Sequence, residues 1–310
     1  MINKIKWNDH DEWLSIRGKY IGGSDAGAIV GMNPYKGAYA VWMEKTGRSK
    51  PFEGNIATET GTLLEPYVAE LFERETGKKV RKDNHTLVND LYPWACANVD
   101  RRIVGEDALL ECKTTSSFPN LRKFAAGEYP ETWYCQMVHY LAVTGAQRIY
   151  LAVLIGNREL KVFPPLERDE EEIEALMRAE REFWTHVEND TEPNAGAMDG
   201  DAVADAYPGE NETDTVVDLT AEADLLREYE IALADKKQAE ERADEIKNRL
   251  CVALGENTTG VYKDYTVKWK STGTNSFDIK AFKKAFPNID YAPYYKVKVT
   301  RRFTFGKGKK

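Results

Sequence analysis

The sequence predicts an α/β fold followed by a smaller α+β extension, on three observations. Apolar residues recur at helical spacing through "GTLLEPYVAELFERETG", with Leu64, Val68, Leu71 and Phe72 on one face and Gly77 at the end. Two extended runs, "PWACANVDRRIV" and "ALLECKTT", flank the turn "GED". The run "YCQMVHYLAVTG" reads as a buried helix, and a second extended pair, "RIYLAVLIG" and "RELKVFPPL", follows it with a turn at Asn157. Strands and helices that alternate in this way fit a layered α/β domain.

The elements are expected as follows. Residues 1–60 read as short helices joined by glycine turns: "DHDEWLSIRGKY" is amphipathic, Ser24 or Asp25 can cap a helix over Ala26–Val30, and Gly47 stops a third helix. "KKVRKDNHTLVN" reads as extended. "DEEEIEALMRAEREFWTHVEND" is an amphipathic helix carrying Ile173, Leu176, Met177, Ala179, Phe183 and Trp184. The core domain is thus expected over 1–190 and an acidic linker or loop, rich in small residues, over 191–215. An extension over 216–310 follows. Leu219, Leu226 and Leu233 lie seven apart and lead into Ala239, Ala243, Ile246 and Leu250, which predicts one long helix or a helical hairpin. Its tail reads as a hairpin, "GVYKDYTVKWKST", a helix, "DIKAFKKAFP", and a basic strand, "YYKVKVTRRFTF".

Composition narrows the function classes. No stretch approaches the ~20 apolar residues of a membrane helix, and the N-terminus lacks an apolar signal core, so a cytoplasmic protein with no membrane partner is expected. The four cysteines, Cys96, Cys112, Cys135 and Cys251, form no CxxC and match no zinc or iron–sulfur spacing. The net charge of −8 hides a strong asymmetry. Residues 1–166 are roughly neutral, 167–245 carry about −20 and 256–310 carry about +9. A basic segment is therefore available to a polyanion. No GxxxxGK[ST] phosphate loop occurs, which excludes a built-in motor of that type.

The chemistry concentrates in "VDRRIVGEDALLECKTT". Side chains on a strand alternate faces, so Glu111 and Lys113 point one way while Leu110 and Cys112 point the other. Asp100 lies on the partner strand and can come close to Glu111. Two carboxylates held together repel unless a divalent cation lies between them. Mg²⁺ suits such a site, because it takes hard oxygen ligands and shares them with water and phosphate. The Cys112 backbone carbonyl can add an oxygen, and Lys113 can orient the attacking water or stabilise charge building on phosphorus. The acid-x-Lys triplet is not distinctive alone, since "EIK" at 245–247 and "DIK" at 278–280 repeat it inside helical segments. Strand phase and the upstream Asp set the first one apart.

Other polar residues leave two readings open. Glu65 fits a third metal ligand or a solvated first-turn glutamate favoured by the helix dipole. Gln136 fits a contact to substrate phosphate or to the nucleophile, whereas His139 on the same helix fits a satisfied core histidine. Trp133 and Tyr134 fit base stacking or an aromatic core.

Five pieces together resemble the YqaJ-type viral recombinase family of phage and prophage nucleases, relatives of lambda exonuclease in the PD-(D/E)xK superfamily. They are "RGKYIGGSDAGAIVGMNPYKGAYAVWMEKTG", "GTLLEPYVAELFERETG", "VD" at 99–100, "ECK" at 111–113 and "QMVHYLAVTG" at 136–145. The resemblance spans roughly residues 10–190. The proline of the superfamily name is absent immediately before Asp100.

The resemblance implies a restriction-endonuclease-like core, a mixed central sheet flanked by helices. It also implies that Asp100, Glu111 and the Cys112 carbonyl hold Mg²⁺, with Mn²⁺ as a substitute. Lys113 would then assist the attacking water, Glu65 would be an outer or second-metal ligand, and Gln136 would sit at the rim. Arg17 and Ser24 match the positions that bind a terminal 5′-phosphate. The implied activity is 5′→3′ digestion of linear double-stranded DNA ends, leaving 3′ single strands for an annealing protein. The implied assembly is a homo-oligomer, a trimeric ring. A structure-specific or nicking endonuclease on the same core is the competing reading, and a non-catalytic DNA-end scaffold is the third. Residues beyond 215 lie outside the lambda-type core and fit an oligomer contact, a docking site or a DNA clamp.

Overall fold

The chain opens with a strand, where the sequence suggested helices alone. The computed structural model describes residues 1–49, 54–116, 118–156, 158–210, 216–296 and 302–306. It divides into two units, Met1–Pro208 and Gly209–Lys310. The first begins with β1 (Ile2–Lys6), α1 (His10–Gly18), β2 (Ile21–Gly22), α2 (Gly23–Ile29), α3 (Ala38–Lys45) and α4 (Ile56–Thr76). Strands β3 (Val80–Arg81), β4 (His85–Asn89), β5 (Ala95–Ala97), β6 (Arg101–Ile103) and β7 (Ala108–Thr115) follow. After α5 (Phe118–Ala125) and α6 (Glu131–Thr144) come β8 (Arg148–Ile155), β9 (Glu159–Val162), β10 (Leu166–Glu167), α7 (Glu170–Glu188) and α8 (Gly200–Ala206).

These strands form two mixed sheets. The smaller has the order β1-β4-β5-β2, and the larger has β10-β8-β7-β6-β3 with β9 also on β8. Strands β7 and β8 run parallel in register, Glu111 beside Leu151, whereas β6 and β7 run antiparallel. The extended run expected over 93–104 is therefore two strands in two sheets, and Asp100 sits at the switch between them. The same split separates β3 from β4 upstream. A sequence window sees one extended segment in each case, because alternation does not report which sheet a strand joins.

Both faces of the larger sheet are covered. Helix α4 lays Val68, Ala69 and Phe72 against Leu110, Cys112, Ala152 and Leu154. On the opposite face, Met137, Leu141 and Val138 of α6 pack with Leu109, Leu151 and Val153. The alternation along β7 thus sends Leu110 and Cys112 to α4 and Leu109 and Glu111 toward α6. Helix α4 begins five residues earlier than the pattern indicated, capped by the Asn55 side chain on the Thr58 N–H, and runs through Pro66. Gly77 ends it at φ 73°, the left-handed conformation glycine adopts without strain. Glu65 is consequently well inside the helix, and the first-turn reading of that residue is withdrawn.

The N-terminal cap expected at Ser24 or Asp25 is displaced. Helix α2 starts at Gly23, so Ser24 lies in its first turn and Asp25 reaches back to accept the Gly22 N–H at 3.1 Å. Asp169 caps α7 as a side-chain acceptor for Glu171 and Glu172 N–H, and Ile173, Leu176, Met177 and Phe183 are buried along that helix as expected. Segment 191–215 is not simply a linker. It contains α8, and Asp199 just before it is buried, accepting the Gly37 and Ala40 N–H groups at 3.0 Å and so capping α3 from a distance. Asn157, the expected turn residue of the β8–β9 hairpin, lies outside the described residues, as does 211–215.

The second unit carries one continuous helix, α9 (Ala223–Leu254), then the hairpin β11 (Thr259–Tyr262) and β12 (Tyr265–Lys268), and α10 (Ile279–Ala285) capped by Asp278. The expected basic strand falls partly on 297–301, outside the described residues; Ala292–Tyr294 before it form a 3₁₀ turn. All four cysteines are free. Among the described residues no helix is long and apolar enough to cross a membrane.

Candidate active site

The break between β5 and β6 leaves an open edge on β7. Strand β6 pairs with β7 only at Arg101–Leu110 and Arg102–Leu109. Beyond Leu110 no strand among the described residues pairs with β7 on that side, and Asp100 fills the gap: its Oδ2 accepts the Cys112 N–H at 2.8 Å. The N–H and C=O of one strand residue point to the same side, so the Cys112 carbonyl faces that edge too. Extending the register by one step sets Asp100 across from Glu111, and residues opposed in an antiparallel pair share a face.

On the α6 side a closed polar ring forms. Lys113 Nζ lies 2.6 Å from Glu111 Oε1 and donates to Gln136 Oε1 at 2.8 Å, while Gln136 Nε2 donates to the same Glu111 oxygen at 2.8 Å. Gln136 Nε2 also donates to the Tyr140 hydroxyl at 3.1 Å. Glu111 Oε2 is left buried with no hydrogen-bond partner among the described residues. That is an expensive arrangement for a carboxylate unless something else satisfies it. On the α4 side Glu65 Oε1 pairs with Arg101 at 2.5 Å, and the same guanidinium donates to the Asp100 backbone carbonyl at 2.6 Å.

The electrostatics follow from this crowding. Burial, then the charges of Glu111 and Glu65, push the Asp100 carboxyl well above the usual carboxylate range, and Lys113 offsets only part of that. Burial alone would weaken the charge on Lys113, but the charges of Glu111 and Asp100 outweigh it and hold the ammonium above its ordinary value. Burial and the same two acids push the Tyr140 hydroxyl far up, so it stays protonated. Among the described residues no three His, Cys, Asp or Glu side chains stand together as a ready-made metal cluster. The reason is visible in the pairing: Glu65 is turned to Arg101 and one oxygen of Glu111 to Lys113.

Apart from Arg101, these groups line one cleft of about 480 Å³, and Arg17 and Ser24 line it as well. Arg17 Nη2 donates to Ser24 Oγ at 2.5 Å, and the guanidinium lies 5.3 Å from the Trp13 ring centre. The eight sequence-selected residues, Arg17, Ser24, Glu65, Asp100, Glu111, Cys112, Lys113 and Gln136, therefore meet around a single cavity. Sequence reasoning missed Trp13, Tyr140 and Arg101. Tyr140 follows Gln136 by one helical turn, which was a usable signal; Arg101 gave none, because its partner Glu65 is distant in sequence.

Two buried polar clusters lie outside the lining of the cleft. Asp25 sits 2.8 Å from Lys45 and 3.6 Å from Lys36. Burial would raise its carboxyl, but Lys45, Lys36 and Arg17 together hold it well below the usual range. His139 is a core residue, as expected: Nδ1 lies 2.7 Å from Glu180 Oε1 and Nε2 2.9 Å from the Cys96 carbonyl, with both side chains fully buried. Glu180, on the apolar face of α7, was not anticipated. Trp133 and Tyr134 pack against the core, and the Tyr134 hydroxyl donates to Glu172.

Fold and site together define an α/β protein with an acid-acid-lysine centre at an open strand edge. The fold is shared with the alkaline exonuclease LHK-Exo of Laribacter hongkongensis, at a TM-score of 0.51 and 18% identity, covering 58% of this chain and 94% of that one. Residues 12–147 match the model of the YqaJ-like viral recombinase domain. The chain is 38% identical over 301 residues to the uncharacterized protein YqaJ of Bacillus subtilis (strain 168), covering 94% of this chain and 92% of that protein. It belongs to the YqaJ-like viral recombinase domain family. A shorter similarity, 36% over 74 residues, links it to protein D345L of African swine fever virus (strain Badajoz 1971 Vero-adapted), covering 24% of this chain and 21% of that protein.

Proposed function

We propose that this chain is a metal-dependent DNA nuclease, an exonuclease that digests linear double-stranded DNA 5′→3′ with Mg²⁺ as cofactor. The observation that carries the reading is the meeting of Asp100, Glu111, Lys113 and Gln136 with Arg17 and Ser24 in one cleft. The names of relatives support it: the family model describes a viral recombinase, and LHK-Exo is an alkaline exonuclease solved also with dAMP.

The donor set fits the metal. Glu111 Oε2 is buried and unpartnered, Asp100 is crowded by negative charge that a cation would relieve, and the Cys112 carbonyl faces the same edge. Asp100, Glu111 and the Cys112 carbonyl would hold Mg²⁺, an all-oxygen set that Mn²⁺ also accepts. When bound, the ion polarises a phosphoryl oxygen and acidifies a water. Lys113 presents its ammonium on the same face, where it orients the attacking water and offsets charge on the phosphate. Gln136 holds that ammonium in place. Glu65 reaches the site through Arg101 in this state and serves as an outer ligand only after that pair opens. Arg17 can grip a terminal phosphate with two parallel N–H donors, and the Ser24 hydroxyl adds a third.

With the phosphate hook at a 5′ end, hydrolysis leaves a 3′ single strand, which an annealing protein would coat. The resemblance to lambda exonuclease supports a homo-oligomeric, trimeric ring. A strand-labelled digest of linear duplex with and without 5′-phosphate, alongside closed circular plasmid and sizing of the free protein, tests all of this. Release of nucleotides from the 5′ end with the plasmid intact is expected. Nicking of the plasmid would replace the exonuclease by an endonuclease on the same fold. Unchanged function in Glu111→Ala would leave only an end-binding scaffold.

A further inference from the structure

Beyond α9 the second unit combines positive charge with exposed aromatic rings. From 256 to 310 the chain carries about +9 and eleven aromatic residues. Several of the rings face solvent: Tyr262, Tyr265, Tyr294 and Tyr295 are 66%, 73%, 80% and 60% exposed. Tyr262 and Tyr265 are direct cross-strand partners at the end of the β11–β12 hairpin, so their rings share one face. Lys263, in the turn between them, lies 5.3 Å from the Tyr262 ring centre. A cleft of about 430 Å³ repeats the arrangement, lined by Phe277, Phe282, Tyr291, Tyr294 and Tyr295 around Lys283. The Lys283 ammonium stands 4.8 Å from the Tyr295 ring centre and 5.3 Å from that of Tyr291. No carboxylate lines this cleft among the described residues.

We propose that these lysine-flanked rings form a second nucleic-acid site, which binds single-stranded DNA by stacking bases on the aromatic faces. The Lys283 ammonium also donates to the Tyr295 hydroxyl, which holds the cation among the rings that line the cleft. An apolar peptide would fill the cleft but would leave the positive charge of the segment, about +9 over 256–310, without a partner. A polyanion whose bases are flat and apolar satisfies both features. A duplex does not, because its base faces are already stacked inside the helix. The choice of DNA over RNA rests on the nuclease reading above.

The test uses the full chain carrying Asp100→Asn, in EDTA, with fluorescein-labelled oligo(dT), oligo(rU) and blunt duplex followed by anisotropy. Binding requires neither metal nor cleavage under these conditions. Oligo(dT) is expected to bind with an affinity that falls linearly on a log–log plot against salt. The double substitutions Tyr262→Ala with Tyr265→Ala, and Tyr294→Ala with Tyr295→Ala, should each weaken it about tenfold or more. Phenylalanine at the same positions keeps the rings and should keep the binding, which separates stacking from misfolding. Alanine variants that bind oligo(dT) like the parent would overturn the site and return the cleft to a protein partner. Tighter binding of oligo(rU) would overturn the assignment to DNA. Oligo(dT) binding through these rings, with no digestion of duplex by the native chain in Mg²⁺, would leave this site standing and remove the nuclease reading.

Discussion

The Gln136 carboxamide accepts the Lys113 ammonium through Oε1 at 2.8 Å. The same amide donates to Glu111 at 2.8 Å, so one neutral side chain from α6 fixes the angle between the cation and the acid on β7. Gln136→Ala removes that brace and leaves both charged groups in place. We expect about a hundredfold loss in single-turnover cleavage, the scale on which displacement of a catalytic group by an ångström acts. The melting temperature should hardly move. Full activity in Gln136→Ala would reduce the residue to packing.

Asp100 and Lys113 are expected to be indispensable for cleavage and dispensable for folding. Asp100 is raised in the folded protein by burial and by Glu111 and Glu65. A carboxyl raised on folding opposes stability once pH climbs from its unfolded value through its folded one. Asp100→Asn should therefore leave the metal-free melting temperature at pH 8 equal or higher, while abolishing digestion. On the proposed role Mg²⁺ would displace that proton, so its thermal stabilisation of the native chain should grow with pH and vanish in the variant. Lys113→Ala should abolish digestion but retain the Mg²⁺-induced shift. A Mg²⁺ shift that survives Asp100→Asn undiminished would sink the ligand assignment.

Much of this centre was legible before any coordinates, and the reason is local. The alternation of Leu110, Glu111, Cys112 and Lys113 follows from strand geometry alone, and α4 and α6 cover the two faces that it defines. Helical spacing likewise identified Val68 and Phe72 as core. What sequence could not supply was the partition of 93–104 into two sheets, since that depends on β4 and β7 competing for different parts of one extended run. The strand β1 was missed because "INKIK" is short and half charged, and only pairing with His85–Asn89 makes it a strand. Arg101 and Glu180 were invisible for the same cause: each is stabilised by a partner 36 and 41 residues away.

Arg17 and Ser24 lie in the cleft joined by a 2.5 Å hydrogen bond, which Arg17 Nη2 donates to Ser24 Oγ. On the proposed role, Arg17→Ala should lower the preference for 5′-phosphorylated over 5′-hydroxyl ends about tenfold or more, the worth of a charge-assisted pair. Competition between the two substrates in one tube measures this directly. Equal loss on both ends would assign Arg17 to the Asp25 cluster, to which it also contributes charge.

Asp25 should dominate the acid limb of stability. Its carboxyl is 2% exposed and held far below the usual range by Lys45, Lys36 and Arg17 against the cost of burial. A carboxyl depressed on folding gives stability that is complete above its unfolded value, about pH 4, and lost as pH falls toward its folded one. Urea midpoints should therefore drop from neutral pH to pH 3 in the native chain. Asp25→Asn leaves Lys45 buried without its partner and should cost about 3–5 kcal/mol at pH 7. The variant should also show a shallower acid slope, and an unchanged slope would mean that other carboxylates set it.

Gly23 lies between the Arg17–Ser24 side of the cleft and the Gln136–Tyr140 side. A Cβ at this position would lie 2.6 Å from Tyr140 Cε1 and 3.0 Å from Gln136 Cγ. The obstacle is space, and the ring it meets is buried and cannot swing clear. Gly23→Ala should force Tyr140 and Gln136 away from α2, at about 1–3 kcal/mol of overpacking. The displaced Gln136 would carry Lys113 with it, so cleavage should fall about a hundredfold although no charged group has been altered. Adding Tyr140→Val opens room for the methyl group and should restore the melting temperature. If Gly23→Ala cleaves and melts like the native chain, the close approach of α2 to α6 is not what sets the geometry of the centre.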